Sequence, residues 1–312
     1  MNYNHDQIKI ALAGPIASVQ TPFNKDGSIS FDGLRRLVDH YIDAGASALL
    51  LTWGNSLFAI LSDRDIGDIT RTVVEYAAGR AVVVACTGCW ATPQAVEFAA
   101  YCREIGADIL QVFLPTWYPG CLNGQTIVDH HMAVAKYIPV MPNSKQIQLN
   151  GGPSEGLAIA RELIERERNI LAIKADVCGE YDEAITSLVK DHWTMIAGGN
   201  KSHHMELWPY GCGGWLSTFI IFRPTVAHAY GKAVKSGDIS KAVRIIEKID
   251  RPFFDYILAV PGGFDAAIHG IIELYGLAKR WRRPPFNSLN DEEMEKLAEF
   301  LKNLPEPEKL MK

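Results

Sequence analysis

Short apolar runs alternate with amphipathic stretches about eight times along the chain, and this alternation constrains the fold more than any other feature. Runs at 11–19, 48–51, 81–85, 109–113, 169–176, 194–197 and 215–220 have the length and the apolar, partly β-branched make-up of buried strands. One further strand falls at 138–141 or at 146–149, with Pro142-Asn143-Ser144 between the two positions. The intervening stretches read as helices. Leu34, Leu37, Val38 and Tyr41 recur at helical spacing over 31–44, and Gly45 is a stop. Ser62 followed by Asp63 and Asp65 is a helix start, as is Thr92-Pro93. Further helices fit 126–136, 155–166 and 181–189, and one begins at Pro224.

Short crossovers of this kind give parallel strands. Eight such units imply a (β/α)8 TIM barrel carrying the active site, over residues 1–237. Residues 238–312 are helical in pattern, at 239–257, 264–275 and 291–302, and form a C-terminal helical extension.

Composition narrows the function classes. A net charge of −5 lacks the basic footprint of a nucleic-acid binder. The basic cluster Lys279-Arg280-Trp281-Arg282-Arg283, next to Pro284-Pro285, reads as a solvated turn. No apolar run has the length of a membrane span, and the first residues lack the pattern of a signal peptide. The six cysteines then read as reduced thiols of a cytoplasmic protein. Cys86-Thr87-Gly88-Cys89 is a lone C-x-x-C with no second pair at zinc spacing, and the chain has no metal or nucleotide motif.

The stretch 169–176, Asn-Ile-Leu-Ala-Ile-Lys-Ala-Asp, runs an apolar strand straight into a lysine. Side-chain alternation puts Ile170, Ala172 and Lys174 on one face. An unpaired buried ammonium is costly, and loss of its proton turns the amine into a nucleophile towards a carbonyl. A lysine that snorkels into water is the competing reading. The barrel decides between them, because chemistry in this fold sits at the C-terminal ends of the strands. That rule gathers Thr21, the segment 52–56, Thr87-Gly88, the segment 115–118, Asn150, Lys174, Gly198-Gly199-Asn200 and Gly214 around one mouth. Lys174 is the only lysine ending one of these strands.

These residues also carry a family resemblance. Thr21-Pro22-Phe23 with Asp26-Gly27, Gly88 with Thr92 and Ala95, and Gly106-Ala107-Asp108 recur in order. They are followed by the strand that ends in Lys174, by the segment 211–217 before Pro224, and by Arg283-Pro284-Pro285. In order and spacing the chain resembles the dihydrodipicolinate synthase and N-acetylneuraminate lyase superfamily of class I, pyruvate-dependent aldolases, over nearly its whole length. The resemblance implies a Schiff-base lyase acting on a 2-oxo acid, pyruvate or a 2-keto-3-deoxy sugar acid. It implies a covalent imine on Lys174 with no separate cofactor, and a homo-oligomer, dimer or tetramer, with neither nucleic acid nor membrane as partner.

The departures from the family lie in the proton relay. The family has Gly-Thr-Thr-Gly-Glu-Phe after the second strand. Here the segment is Trp53-Gly54-Asn55-Ser56-Leu57-Phe58, so Gly54 and Asn55 replace the two hydroxyl residues. Gly54, Asn55 and Ser56 remain the expected cradle for the substrate carboxylate, with Asn150 and Gly198 as further substrate-binding residues. The family's tyrosine after the fifth strand corresponds, counted back from Pro153, to Asn150, which cannot act as a general acid at neutral pH. The carboxylate-binding arginine of dihydrodipicolinate synthase has Glu155 nearby in its stead. The tyrosine contributed across a subunit interface falls at Trp117, beside Tyr118. Tyr118 is the expected second catalytic residue, with Tyr137, His203 and His204 as other candidate proton carriers. The alternative is a relative of impaired catalysis that binds a keto acid or plays a regulatory or structural role.

Overall fold

The computed structural model describes residues 3–52, 56–116 and 118–311. The strands are β1 (Pro15–Ser18), β2 (Ala48–Leu50), β3 (Val82–Cys86), β4 (Ile109–Gln111), β5 (Val140–Met141), β6 (Ala172–Ala175), β7 (Thr194–Ala197) and β8 (Gly214–Leu216). All pair in parallel, in the order β5-β4-β3-β2-β1-β8-β7-β6. Parallel bridges from Val140 to Ile170 and from Asn143 to Lys174 join the two ends of this sheet. The result is a (β/α)8 barrel with a C-terminal helical extension.

The first strand is shorter than the apolar run 11–19, because the chain opens with a helix, α1 (His5–Leu12). Asn4 and Gln7 form a reciprocal capping box at its start. Ile8 and Leu12, one turn apart, share a face and enter the barrel interior with Ile16, Leu50, Val84 and Ile196. Helix α1 lies at the N-terminal ends of the strands. Lys9 Nζ donates to the His192 carbonyl at 2.7 Å, and Ser47 Oγ donates to the Ala11 carbonyl at 2.6 Å.

The outer helices follow the expected order: α2 (Phe31–Asp43), α3 (Asp63–Ala77), α4 (Thr92–Ile105) and α5 (Gly124–Ala135). Ser62 caps α3 in a box with Asp65, and Gly106 ends α4 at φ 91°. The fifth strand is the earlier of the two alternatives. Residues 146–149 belong instead to a short helix, α6 (Ser144–Gln148), and its end, because Asn143 caps the backbone N–H of Gln146 at 3.2 Å. Then come α7 (Gly152–Arg166), α8 (Glu180–Val189), α9 (Lys201–Leu207) and α10 (Pro224–Lys235). The eighth strand ends at Leu216, and a 3-10 turn over Thr218–Ile221 takes up the rest of the expected run.

In the extension the expected helix 239–257 is interrupted. It consists of α11 (Ile239–Ile245), a π turn over Ile246–Asp250, and α12 (Arg251–Ala259). Pro252 has no N–H for the helical ladder and crowds the carbonyl one turn back, and a widened turn relieves both. Helices α13 (Gly263–Leu274) and α14 (Asp291–Asn303) follow, and a 3-10 turn over Pro307–Met311 comes last. Among the described residues no single helix is long and apolar enough to cross a membrane.

The cluster 279–283 is not a solvated turn. Arg282 is buried, and Arg280 pairs with Glu273 and Asp291. Arg283 reaches the barrel's loops, donating to the carbonyls of Gly27 at 2.9 Å and Ile60 at 2.8 Å and to Asp65 Oδ2 at 2.8 Å.

Candidate active site

Strand β6 brings Lys174 to the barrel mouth. Ala172 packs in the barrel interior, while Ile173 and Ala175 face the helical layer, so Lys174 points inward. Ile170 lies before the strand and packs with the outer layer, so it does not share the face of Lys174 as expected. Lys174 is only 4% exposed.

The premise of an unpaired ammonium does not hold. Lys174 Nζ donates to Asp176 Oδ1. Asn143, just past the end of β5, donates through Nδ2 to Asp176 Oδ2 at 2.6 Å. The Asp176 backbone N–H donates to Ser144 Oγ at 3.1 Å, and the Lys174 N–H to the Pro142 carbonyl at 3.1 Å. The seam between β5 and β6 therefore assembles an amine, a carboxylate and an amide in one chain of contacts. Residues 174 and 176 lie on the same face of an extended chain, so this pair was readable from their spacing. Asn143 was hidden by the ambiguity of the fifth strand.

Gly198, at the end of β7, closes the other side. A Cβ there would stand 2.0 Å from Asp176 Oδ1 and 2.9 Å from Lys174 Nζ. The absence of a side chain at 198 makes room for the pair. The Gly198 carbonyl accepts from His203 Nδ1 at 2.7 Å, and His203 Nε2 lies 3.3 Å from Asp182 Oδ2, a charge contact outside hydrogen-bond alignment. Burial opposes charge on Asp182. Even so, His203, the N–H groups of Cys178 and Val177, and Ser144 hold its carboxyl below the usual carboxylate range. Burial likewise opposes charge on His203, but Asp182 and the Gly198 carbonyl raise its pKa above the usual value.

The other expected residues are more dispersed. Gly54 and Asn55 lie outside the described residues, as do Trp53 and Trp117. Ser56 is buried, and its hydroxyl donates to the Val19 carbonyl. The neighbouring Thr52 and Leu57 hold left-handed backbone, at φ 48° and 60°, conformations that concentrate at functional loops. Asn150 follows α6 rather than a strand. Its Oδ1 accepts from the Leu122 N–H at 3.1 Å, which ties down the loop after β4. The end of the fifth strand is held by Pro142 and Asn143 instead. Tyr118 stands 60% exposed on that loop after β4. Tyr137 follows α5 and precedes β5, at the opposite end of the barrel from Lys174. His204 is a core histidine. It bonds to Tyr230 Oη at 2.8 Å, and burial lowers its pKa to about 3. The C-x-x-C cysteines part company, with Cys86 buried in the barrel interior and Cys89 exposed.

A cleft of about 320 Å³ lies at the mouth, between the barrel and the extension. Ser18, Gly199 and Ser217 line it from the barrel, and Phe254, Phe264 and Asp265 from α12 and α13. Burial raises the Asp265 carboxyl above its usual range, with the Arg282 charge opposing.

Comparison with known proteins agrees with this architecture. A 4-hydroxy-tetrahydrodipicolinate synthase of Psychrobacter arcticus is 26% identical over 281 residues, covering 88% of this chain and 91% of the relative. A probable 5-dehydro-4-deoxyglucarate dehydratase of Streptomyces avermitilis is 26% identical over 297 residues, covering 93% and 92%. The crystal structure of N-acetylneuraminate lyase from Fusobacterium nucleatum superposes with a TM-score of 0.83 at 19% identity, covering 94% of this chain and 99% of that one. Relatives named as a synthase and a dehydratase, together with the match to a family model, make this a lyase-type enzyme. The model of the dihydrodipicolinate synthetase family matches residues 11–304, from the end of α1 through α14, and the chain is a member of that family.

Proposed function

We propose that the protein is a class I lyase that forms a Schiff base between Lys174 and the ketone of a 2-oxo acid, pyruvate or a 2-keto-3-deoxy sugar acid. The observation that carries this reading is the position of Lys174, an almost fully buried amine at the C-terminal end of a barrel strand. Family membership and the names of the relatives support the same chemistry. The imine is the only covalent catalyst required, with no separate cofactor. The segment after β2, residues 54–56, is the proposed receiver of the substrate carboxylate, and within it the Ser56 hydroxyl is engaged with the Val19 carbonyl. Tyr118 stands at the entrance. Family resemblance supports a cytoplasmic homo-oligomer, dimer or tetramer.

The test is reductive trapping. The protein is incubated with pyruvate and a panel of longer 2-oxo acids, reduced with borohydride, digested and weighed. The expected result is an added mass on the peptide containing Lys174, absent from Lys174→Ala. If no 2-oxo acid gives an adduct, the Schiff-base reading is wrong.

A further inference from the structure

The family's proton relay runs through hydroxyl groups that this chain has exchanged, yet imine chemistry still needs a group that carries protons at the reacting nitrogen. We infer that Asp176 is that group, a catalytic carboxylate that replaces the hydroxyl relay. The inference rests on the Schiff-base reading of Lys174 and adds the residue that makes it turn over.

Three observations converge on Asp176. Its Oδ1 accepts directly from Lys174 Nζ, the atom that attacks the ketone. Its Oδ2 is held by Asn143 at 2.6 Å, and its backbone N–H by Ser144 at 3.1 Å, so the carboxylate is oriented from two sides. Its side chain is 22% exposed against 5% for that of Lys174, so the carboxylate reaches solvent more than the amine does. The other candidates lack this contact. His203 turns its Nδ1 to the Gly198 carbonyl, His204 is buried against Tyr230, and Tyr118 projects to solvent. Gly198 completes the arrangement, since a side chain there would occupy the space of the carboxylate.

The proton balance closes within the pair. When an Nζ proton has passed along the hydrogen bond to Asp176, the neutral amine attacks C2. A C–N bond forms, and the carbonyl π pair moves to oxygen, which takes the Asp176 proton. The nitrogen, now cationic with two hydrogens, returns one of them to Asp176. The carbinolamine hydroxyl then takes this proton and leaves as water with the C–O pair, while the nitrogen lone pair closes the C=N bond. The products are an iminium on Lys174, one water and a carboxylate on Asp176. The iminium N–H remains beside the carboxylate as the ammonium did.

The experiment measures the rate of borohydride-trapped adduct formation with pyruvate, or with whichever 2-oxo acid the panel selects. Wild type, Asp176→Asn, Asp176→Ala and Asn143→Ala are compared, each checked for an intact thermal melt. Both Asp176 variants are expected to form adduct about 10² to 10⁴-fold more slowly. Formate at high concentration is expected to restore part of the rate in Asp176→Ala only, which a merely structural role would not produce. Wild-type rates in the two variants would overturn the inference while leaving the Schiff base intact. A wild type that forms no adduct removes both. If neither Asp176 variant folds, Asn143→Ala decides. Loss of the hydrogen bond that orients the carboxylate is expected to slow adduct formation about tenfold, with part of the rate restored in Asn143→Gln. A wild-type rate in Asn143→Ala overturns the inference.

Discussion

Lys201 and Asp250 form an ion pair across the join between the barrel and the C-terminal extension, with Nζ 2.6 Å from Oδ1 and side chains 3% and 1% exposed. The Lys201 backbone N–H also donates to the same carboxylate, at 2.9 Å, and its ammonium sits 4.1 Å above the Phe219 ring. Burial lowers the Lys201 pKa, and Asp250 opposes that shift. Lys201 opens α9 beyond β7, and Asp250 closes the π turn forced by Pro252.

Removing one partner leaves the other charged and buried. Lys201→Met is therefore expected to destabilise the protein by about 3–5 kcal/mol in urea unfolding. The double variant Lys201→Met/Asp250→Leu is expected to recover most of that loss, because it removes both desolvated charges. A double variant no more stable than the single one would show that the pair is not the source of the effect.

Gly198→Ala is expected to act on the site more than on the fold. The new Cβ meets Asp176 Oδ1 at 2.0 Å and the Ala175 carbonyl at 2.9 Å, so the pair must move. Overpacking of this kind typically costs about 1–3 kcal/mol. Adduct formation on Lys174 is expected to fall at least about tenfold, since displacement of a positioned pair loses far more than stability. Trapping at the wild-type rate would contradict the packing argument.

The buried histidines predict acid sensitivity. Burial lowers the pKa of His131 to about 4 and of His204 and His269 to about 3. Their unfolded value is about 6.5. The unfolded chain binds more protons between these values, so stability present above about pH 6.5 is lost as pH falls towards 4 and then 3. His203 has the opposite sign. Its folded pKa is raised, so its contribution is full below about pH 6.5 and fades as pH rises through the folded value. The Tm difference between wild type and His203→Gln should therefore shrink from pH 6 to pH 9. A difference that grows with pH would refute the assigned sign.

Arg283 ties the extension to the loops after β1 and β2. Its guanidinium serves the carbonyls of Gly27 and Ile60 and the carboxylate of Asp65, and lies 5.0 Å from the Phe23 ring. Arg283→Ala is expected to cost about 1.5–3 kcal/mol, the range for hydrogen bonds to charged groups. Arg283→Lys should not restore it, because a single ammonium lacks the planar fork that meets three acceptors. Chemical unfolding of the two variants reads both outcomes.

Much of the barrel was legible because its strands and helices differ in period. The run 194–197 matched β7 residue for residue, and Ser62 marked a helix start by its own chemistry. The failures have physical causes. Residues 5–12 and 15–18 form one apolar-rich stretch, and only the capping box at Asn4 and Gln7 separates helix from strand. Asn143 caps α6 through its side chain, and strand periodicity cannot register such a cap. At the site, Lys174 stood out as a charge in an apolar run. Asp176 does not stand out in the same way, because carboxylates past strand ends are common. Its pairing with Asn143 depends on which strand closes the barrel, and that is a property of the whole fold.

Helix α1 gives the barrel a stopper. With Ile8 and Leu12 wedged among the inner side chains, the described residues fill the barrel at the end opposite Lys174. The cleft flanked by Phe254, Phe264 and Ser217 lies at the other end, so the C-terminal extension overhangs the rim that the stopper leaves free.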